Sequence, residues 1–286
     1  GLHRADRLEL TGVSMLVKGV ASLAAFVLGL VLLKDLNLSI LLMTAAVLVL
    51  TVVMDARYVR RYAPSSFAFA RGDFAKAAKL WWNGRHVLMM ALIPMVMVAI
   101  PRVIYEGIST ELFGIYSSIA TPTILISTFI SCLLMPLVPT ISLAFAKRDF
   151  TRFSRYVWII NGAIVAFGAV CWLLGRLLGD WALTLLFGAK VHPYTDVFGW
   201  VIIQVVCASL ASCENLLAAS MHRTSYASAG AFVGLAVTAA LSRFAITSWD
   251  MTGLSVSLGA GQFIESALVL ALLARHLRKE RASLSA

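Results

Sequence analysis

Eight stretches of this chain run for about twenty residues with scarcely a charge, and the need to place them constrains the fold more than anything else. They cover residues 11–33, 36–54, 86–104, 112–134, 156–175, 197–219, 226–247 and 253–274. A helix needs about 20 apolar residues to cross about 30 Å of hydrocarbon. In lipid every backbone polar group must be satisfied within the protein, which leaves only helices and closed barrels. The runs are apolar on all faces and show none of the alternation that barrel strands need, so they read as helices. Composition agrees: 60% of residues are hydrophobic and 13% charged, against about 25% charged in a soluble globular chain. The sequence predicts an all-α integral membrane protein with about eight transmembrane helices.

The net charge of +10 would suggest nucleic acid in a soluble protein. Here its distribution gives another cause. With the amino terminus inside, eighteen of the 24 Lys and Arg fall in residues 1–10, 55–85, 135–155, 220–225 and 275–286, all on one side of the membrane. Five fall on the other side, and Lys18 lies within the first span. This is the positive-inside pattern, and it sets both termini in the cytoplasm of an inner-membrane-type protein, with no nucleic-acid partner expected. The tryptophans fit the same map. Trp81, Trp82 and Trp158 mark inner boundaries; Trp172, Trp181, Trp200 and Trp249 mark outer ones. Spacing divides the chain into a two-span part (1–54), a basic cytoplasmic linker (55–85), a six-span part (86–274) and a basic tail (275–286). Within the linker, apolar residues recur at helical spacing over 73–82, as in a helix lying on the membrane surface.

Ionisable groups inside spans are the candidates for function, because each costs about 2.5–3.5 kcal/mol at the bilayer centre. Glu265 sits mid-span, too far from either interface to reach water. Glu214, beside Asn215, lies nearer the inner end of its span. Both read as ion-coupling residues or as hydrogen-bonded ties between helices. Lys18, Arg102 and Arg243 are the basic counterparts and candidate substrate contacts, with Glu106 four residues after Arg102 and able to pair with it on a continuing helix. Three basic positions against two acidic ones lean toward an anionic substrate. Five of the seven prolines (Pro94, Pro101, Pro122, Pro136, Pro139) cluster in or beside the third and fourth spans, where they break helical hydrogen bonds. Gly230 and Gly234 form GxxxG, and Ala21, Ala25 and Gly29 form a second small-residue face; both read as helix packing. No phosphate loop, HExxH or GxSxG occurs. The five histidines and four cysteines show no metal-ligand spacing, so neither metal nor cofactor is expected.

Three short stretches carry a resemblance. Ile100-Pro-Arg-Val-Ile-Tyr-Glu106 precedes Glu111-Leu-Phe-Gly-Ile-Tyr116; Leu185-Leu-Phe-Gly188 precedes Tyr194; and Arg4 to Lys18 opens a span. Together they resemble the bacterial polysaccharide flippases of the multidrug/oligosaccharidyl-lipid/polysaccharide exporter superfamily, with Val103 in place of an aromatic residue. The resemblance implies two six-helix lobes joined by a cytoplasmic linker, with this chain lacking the first four helices of the same protein. It also implies that the whole protein moves an undecaprenyl-pyrophosphate-linked oligosaccharide across the bilayer by alternating access. Arg102 would then be the motif arginine in a cationic cavity, with Lys18 as a second contact. Lipid-linked oligosaccharide and membrane lipids are the implied partners.

Two other readings remain open. A small-cation or drug exporter of the same superfamily would rely on the acidic residues rather than the basic ones. A membrane glycosyl- or acyltransferase would need clustered acids or histidines at one face, whereas Asp180, Asp196 and Asp250 are scattered over the outer loops.

Overall fold

The computed structural model describes residues 8–55, 57, 82 and 84–285. The surface helix expected over 73–82 lies outside the described residues, apart from Trp82. The chain divides into two compact units, Gly1–Leu80 and Trp81–Ala286.

In the first unit α1 (Leu8–Leu33) and α2 (Leu36–Leu50) form a hairpin. Lys34 takes the left-handed conformation at φ 53°, and Asp35 caps α2, its Oδ1 accepting from the Asn37 and Leu38 amides at 2.8 and 3.3 Å. α2 ends in one π turn, Thr51–Asp55. Of the small-residue face expected on α1, Gly29 meets the buried Ser39 so closely that a Cβ would fall 2.8 Å from Ser39 Cα.

The second unit comprises α3 (Arg85–Ile108), α4 (Thr110–Ala120), α5 (Thr123–Leu134), α6 (Val138–Ala146), α7 (Phe150–Phe187), α8 (Val197–Ser220) and α9 (Thr224–Ser285). Seven of the eight apolar runs fall in helix throughout, and the fourth in two helices with a turn between them. Among the described residues five helices are long and apolar enough to cross a membrane, or six with the α4–α5 pair taken as one span. The difference from eight has two sources. α9 holds the last two runs as arms that fold back on each other at Asp250 (φ 49°, ψ −129°), and the apolar part of α1, Leu16–Leu32, is shorter.

The prolines act unequally. α3 continues through Pro94 and Pro101. The expected fourth span is instead broken beside Pro122, where α4 and α5 meet at 41°. Hydroxyls take up carbonyls near the break: Thr121 Oγ1 donates to Ser117 O at 2.8 Å and Thr123 Oγ1 to Ala120 O at 2.7 Å. α7 is much longer than its apolar run, 38 residues or about 57 Å. Its extension past Gly175 is tied to the following turn by Arg176 to Asp196 at 3.1 Å and by His192 to Asp180 at 3.5 Å. Gly188, at φ 83°, ends it.

The usual polarity of a globular protein is inverted. Leu177, Leu185, Leu125 and Phe244 point outward, while Glu214, Glu265, Thr238, Ser242, Ser255 and Ser257 are buried. The GxxxG face does more than bring helices together. A Cβ on Gly234 would lie 2.8 Å from Gly261 O and 3.0 Å from Glu265 Cβ, so the glycines of one α9 arm make the space in which Glu265 of the other arm sits. Gly234→Val should therefore cost about 1–3 kcal/mol through overpacking. Gly162→Val, at a position with nothing within 4 Å, should change stability by less than about 0.5 kcal/mol. Thermal unfolding in detergent, followed by tryptophan emission, compares the two.

Candidate functional site: a polar seam and two cavities

α8 and the second arm of α9 meet along a polar seam. Gln204 Nε2 donates to Gln262 Oε1 at 3.0 Å, and Asn215 Nδ2 donates to Glu265 Oε1 at 2.9 Å. Glu265 is 1% exposed, so this one hydrogen bond and the glycine face are its surroundings in an otherwise apolar span. Glu214, one residue before Asn215, is 0% exposed; the Asn161 side chain of α7 lies near it, but among the described residues neither of its carboxyl oxygens makes a hydrogen bond of normal geometry, nor does Asn215 Oδ1. A buried carboxyl without such a bond is a costly arrangement that a proton, a cation or a water would relieve.

Two cavities open along the facing sides of α3 and α8. One, of about 650 Å³, is bordered by Met90, Pro94 and Val98 of α3 and by Ser212, Asn215 and Leu216 of α8. The other, of about 420 Å³, has mixed walls; Arg102, Tyr116, Ser117, Thr121, Gln204 and Gln262 border it beside Ile124, Val201 and Val205, and it shares Val98 with the first. On α8 the bordering residues recur every three or four positions, from Val201 through Gln204, Ala208 and Ser212 to Asn215, which places them on one stripe.

The motif around Arg102 splits by function. Pro101 and Tyr105 turn inward and are buried, while Arg102 is exposed on the cavity side. Tyr105 Oη donates to Asp250 Oδ1 at 2.7 Å, which latches α3 to the turn of α9. Tyr116 Oη lies 3.1 Å from Ser255 Oγ. The helix does continue from Arg102 to Glu106, yet among the described residues the two form no ion pair, and both are exposed.

Of the other expected basic residues, Arg243 lies exposed on the first arm of α9 and borders neither cavity. Lys18 is half-buried in the first unit. The sequence reasoning thus named Arg102, Glu214 and Glu265 but missed Gln204, Gln262, Asn215 and Tyr116 as members of the same region. Amides inside apolar runs were the signal available for three of them. Asp180, Asp196 and Asp250 each have a separate partner, His192, Arg176 and Tyr105, so they do not converge. Among the described residues no three His, Cys, Asp or Glu gather as metal ligands.

No family model matches the chain, and no curated protein does. Solved structures do. The bent form of the MATE transporter VcmN from Vibrio cholerae superposes with a TM-score of 0.64 at 13% identity, over 96% of this chain and 63% of that one. Its D35N mutant gives 0.68 at 14%, over 96% and 64%. The chain shares the fold of the matched part of these MATE transporters. The chain spans just under two thirds of the length of these neighbours, and at such identity the likeness is one of architecture. On this MATE fold the seam between α8 and α9 makes a direct demand on sequence. Asn215→Leu, by leaving Glu265 buried without its donor, should cost about 1–3 kcal/mol. Adding Glu265→Met should recover part of that loss, with a coupling of about 0.5–3 kcal/mol in a double-mutant cycle of unfolding free energies. Additive losses would mean that the two side chains do not act as a pair.

Proposed function

We propose that this chain forms part of a membrane transporter of the inner membrane, with its basic segments and both termini on the cytoplasmic side. In this reading it works by alternating access and carries a lipid-linked oligosaccharide pyrophosphate between leaflets. The observation that carries the substrate class is Arg102: a guanidinium without an ion-pair partner among the described residues, facing a cavity where Ser117, Thr121, Gln204 and Gln262 stand among apolar residues such as Val98, Ile124 and Val201. An arginine fork suits a phosphate better than it suits a cation, and the neutral donors and acceptors around it suit sugar hydroxyls. The MATE architecture supports transport as the general activity and not catalysis. Glu265 and Glu214 would bind the proton or cation whose gradient drives the cycle. Lys18 and Arg243 border neither cavity.

A hydrogen bond to a charged group contributes about 1.5–3 kcal/mol, or roughly ten- to a hundredfold in binding. In the intact protein Arg102→Ala should therefore reduce translocation of the lipid-linked glycan by at least tenfold at unchanged membrane abundance, with Arg102→Lys between the two. Unchanged export by Arg102→Ala would remove the phosphate-binding role.

A second reading, export of small organic cations, is favoured by the buried carboxyls of Glu214 and Glu265. It predicts that Glu265→Gln abolishes gradient-dependent efflux of a cationic dye from vesicles while Arg102→Ala leaves it intact. The paired variants tell the two readings apart.

A further inference from the structure

The amino-terminal end of α7 carries a second anion-seeking arrangement that transport does not use. Lys147, Arg148, Arg152 and Arg155 set four cations against one carboxylate, Asp149, within nine residues. Asp149 is already engaged as the helix cap, its Oδ1 accepting from the Arg152 amide at 3.0 Å, so the helix end itself offers little. The side chains offer more. Arg152, Arg155, Tyr156 and Ile159 lie at helical spacing and, with Asp149 and Thr151, border a hollow of about 580 Å³. Arg152 Nε donates to Tyr156 Oη at 3.1 Å, and the guanidinium carbon lies 5.7 Å from the tyrosine ring centroid. That bond holds the fork by its stem and leaves both Nη groups without a hydrogen-bond partner among the described residues. Arg155 is exposed and has no ion pair among them either. One step along the helix the surface turns apolar: Trp158 is 71% exposed and Ile159 54%, where the apolar run begins.

We propose that this hollow binds the headgroup of an anionic phospholipid from the surrounding bilayer. Arg152 and Arg155 hold its phosphate and an acyl chain lies along Ile159 and Trp158. Guanidinium forks match phosphate oxygens in pairs, and basic pockets at the aqueous ends of transmembrane helices attract anionic headgroups. A soluble polyanion would leave the exposed tryptophan and isoleucine in water; a lipid covers both halves of the surface at once. The position also matters to the fold. Arg281 Nη2 donates to Phe150 O at 2.6 Å and to Ser154 Oγ at 3.1 Å, fastening the end of α9 to this same turn of α7. A lipid bound here would sit beside the junction of the two longest helices.

The test uses the intact protein in nanodiscs of zwitterionic lipid, titrated with phosphatidylglycerol brominated on its acyl chains. The emission quenched in the native protein but absent from a Trp158→Phe variant isolates the Trp158 signal. Quenching of that signal should require a roughly tenfold lower mole fraction of brominated phosphatidylglycerol than of brominated phosphatidylcholine, and R152A/R155A should abolish the difference. Should the double variant fail to fold, R155A alone, at a side chain that makes no bond among the described residues, should still weaken the preference several-fold. Inorganic phosphate should not restore the emission. Equal quenching by the two lipids, an unchanged preference in the arginine variants, or displacement by inorganic phosphate would each overturn the site.

Discussion

A carboxyl group in the middle of an apolar helix cannot be left to hydrocarbon, and the arrangement of the second unit can be understood from how Glu265 is housed. Its oxygen takes the Asn215 amide from α8, and its stem rests on the glycines of the opposing α9 arm. Those contacts fix the register of three helical segments together. The arms of α9 can lie so close only because Gly230, Gly234, Gly253 and Gly261 carry no side chain there, and they can lie antiparallel only because the chain reverses at Asp250. The reversal is in turn held by Tyr105 of α3. One buried acid thus has consequences that reach the helix bearing Arg102. A well-packed apolar seam would be at least as stable, so the energetic benefit of the acid is not the reason for its presence. Specifying which helices pair, and offering a titratable group to the interior, are what it adds.

The same accounting applies to the backbone. Where α4 and α5 part beside Pro122, hydroxyls of Thr121 and Thr123 bond carbonyls of the preceding turn. Where α7 runs on past Gly175, it still exposes Leu177, Trp181 and Leu185, and its charged groups pair with the next turn. Departures from a straight, fully apolar rod occur where side chains can compensate.

The sequence made the spans legible because bilayer thickness sets their length without reference to any other part of the chain. The runs are helical for that reason. The ends of α7 were not legible, since Arg176 and Asp180 stop an apolar run but do not stop a helix whose charges find partners. The last two runs were legible as separate helices, one on each side of the non-helical residue Asp250. The site was half legible. Glu214, Glu265 and Arg102 announce themselves by the cost of a charge in lipid. Gln204, Gln262 and Asn215 are neutral, and their importance lies in pairings across 58 and 50 residues, which depend on the relative rotation of two helices. Arg243 shows the converse: a charge within a span but near its end can turn outward, and it does. GxxxG was read as packing alone because the motif does not reveal what its hollow receives.

The geometry also bounds how the two ends of the α3–α8 groove can influence each other. Gln204, beside Arg102, and Asn215, bonded to Glu265, stand eleven residues apart on α8, about 16 Å along the helix. At an effective dielectric of about 20, two unit charges at that distance interact by about 1 kcal/mol, roughly a fivefold change in affinity. Through the field alone, a change of charge at Glu265 would therefore act on Arg102 only modestly. That is the lower edge of the 1–3 kcal/mol typical of coupled sites. Stronger coupling would have to come from movement of α8 itself. The hydrogen bonds that fix α8 to α9, Gln204 to Gln262 and Asn215 to Glu265, lie at the two ends of the same stripe. Protonation of Glu265 leaves a carbonyl oxygen that can still accept from Asn215, so the tie at that end would survive it. The polar seam, more than the separation of the charges, is what ties the helix bordering both cavities to α9.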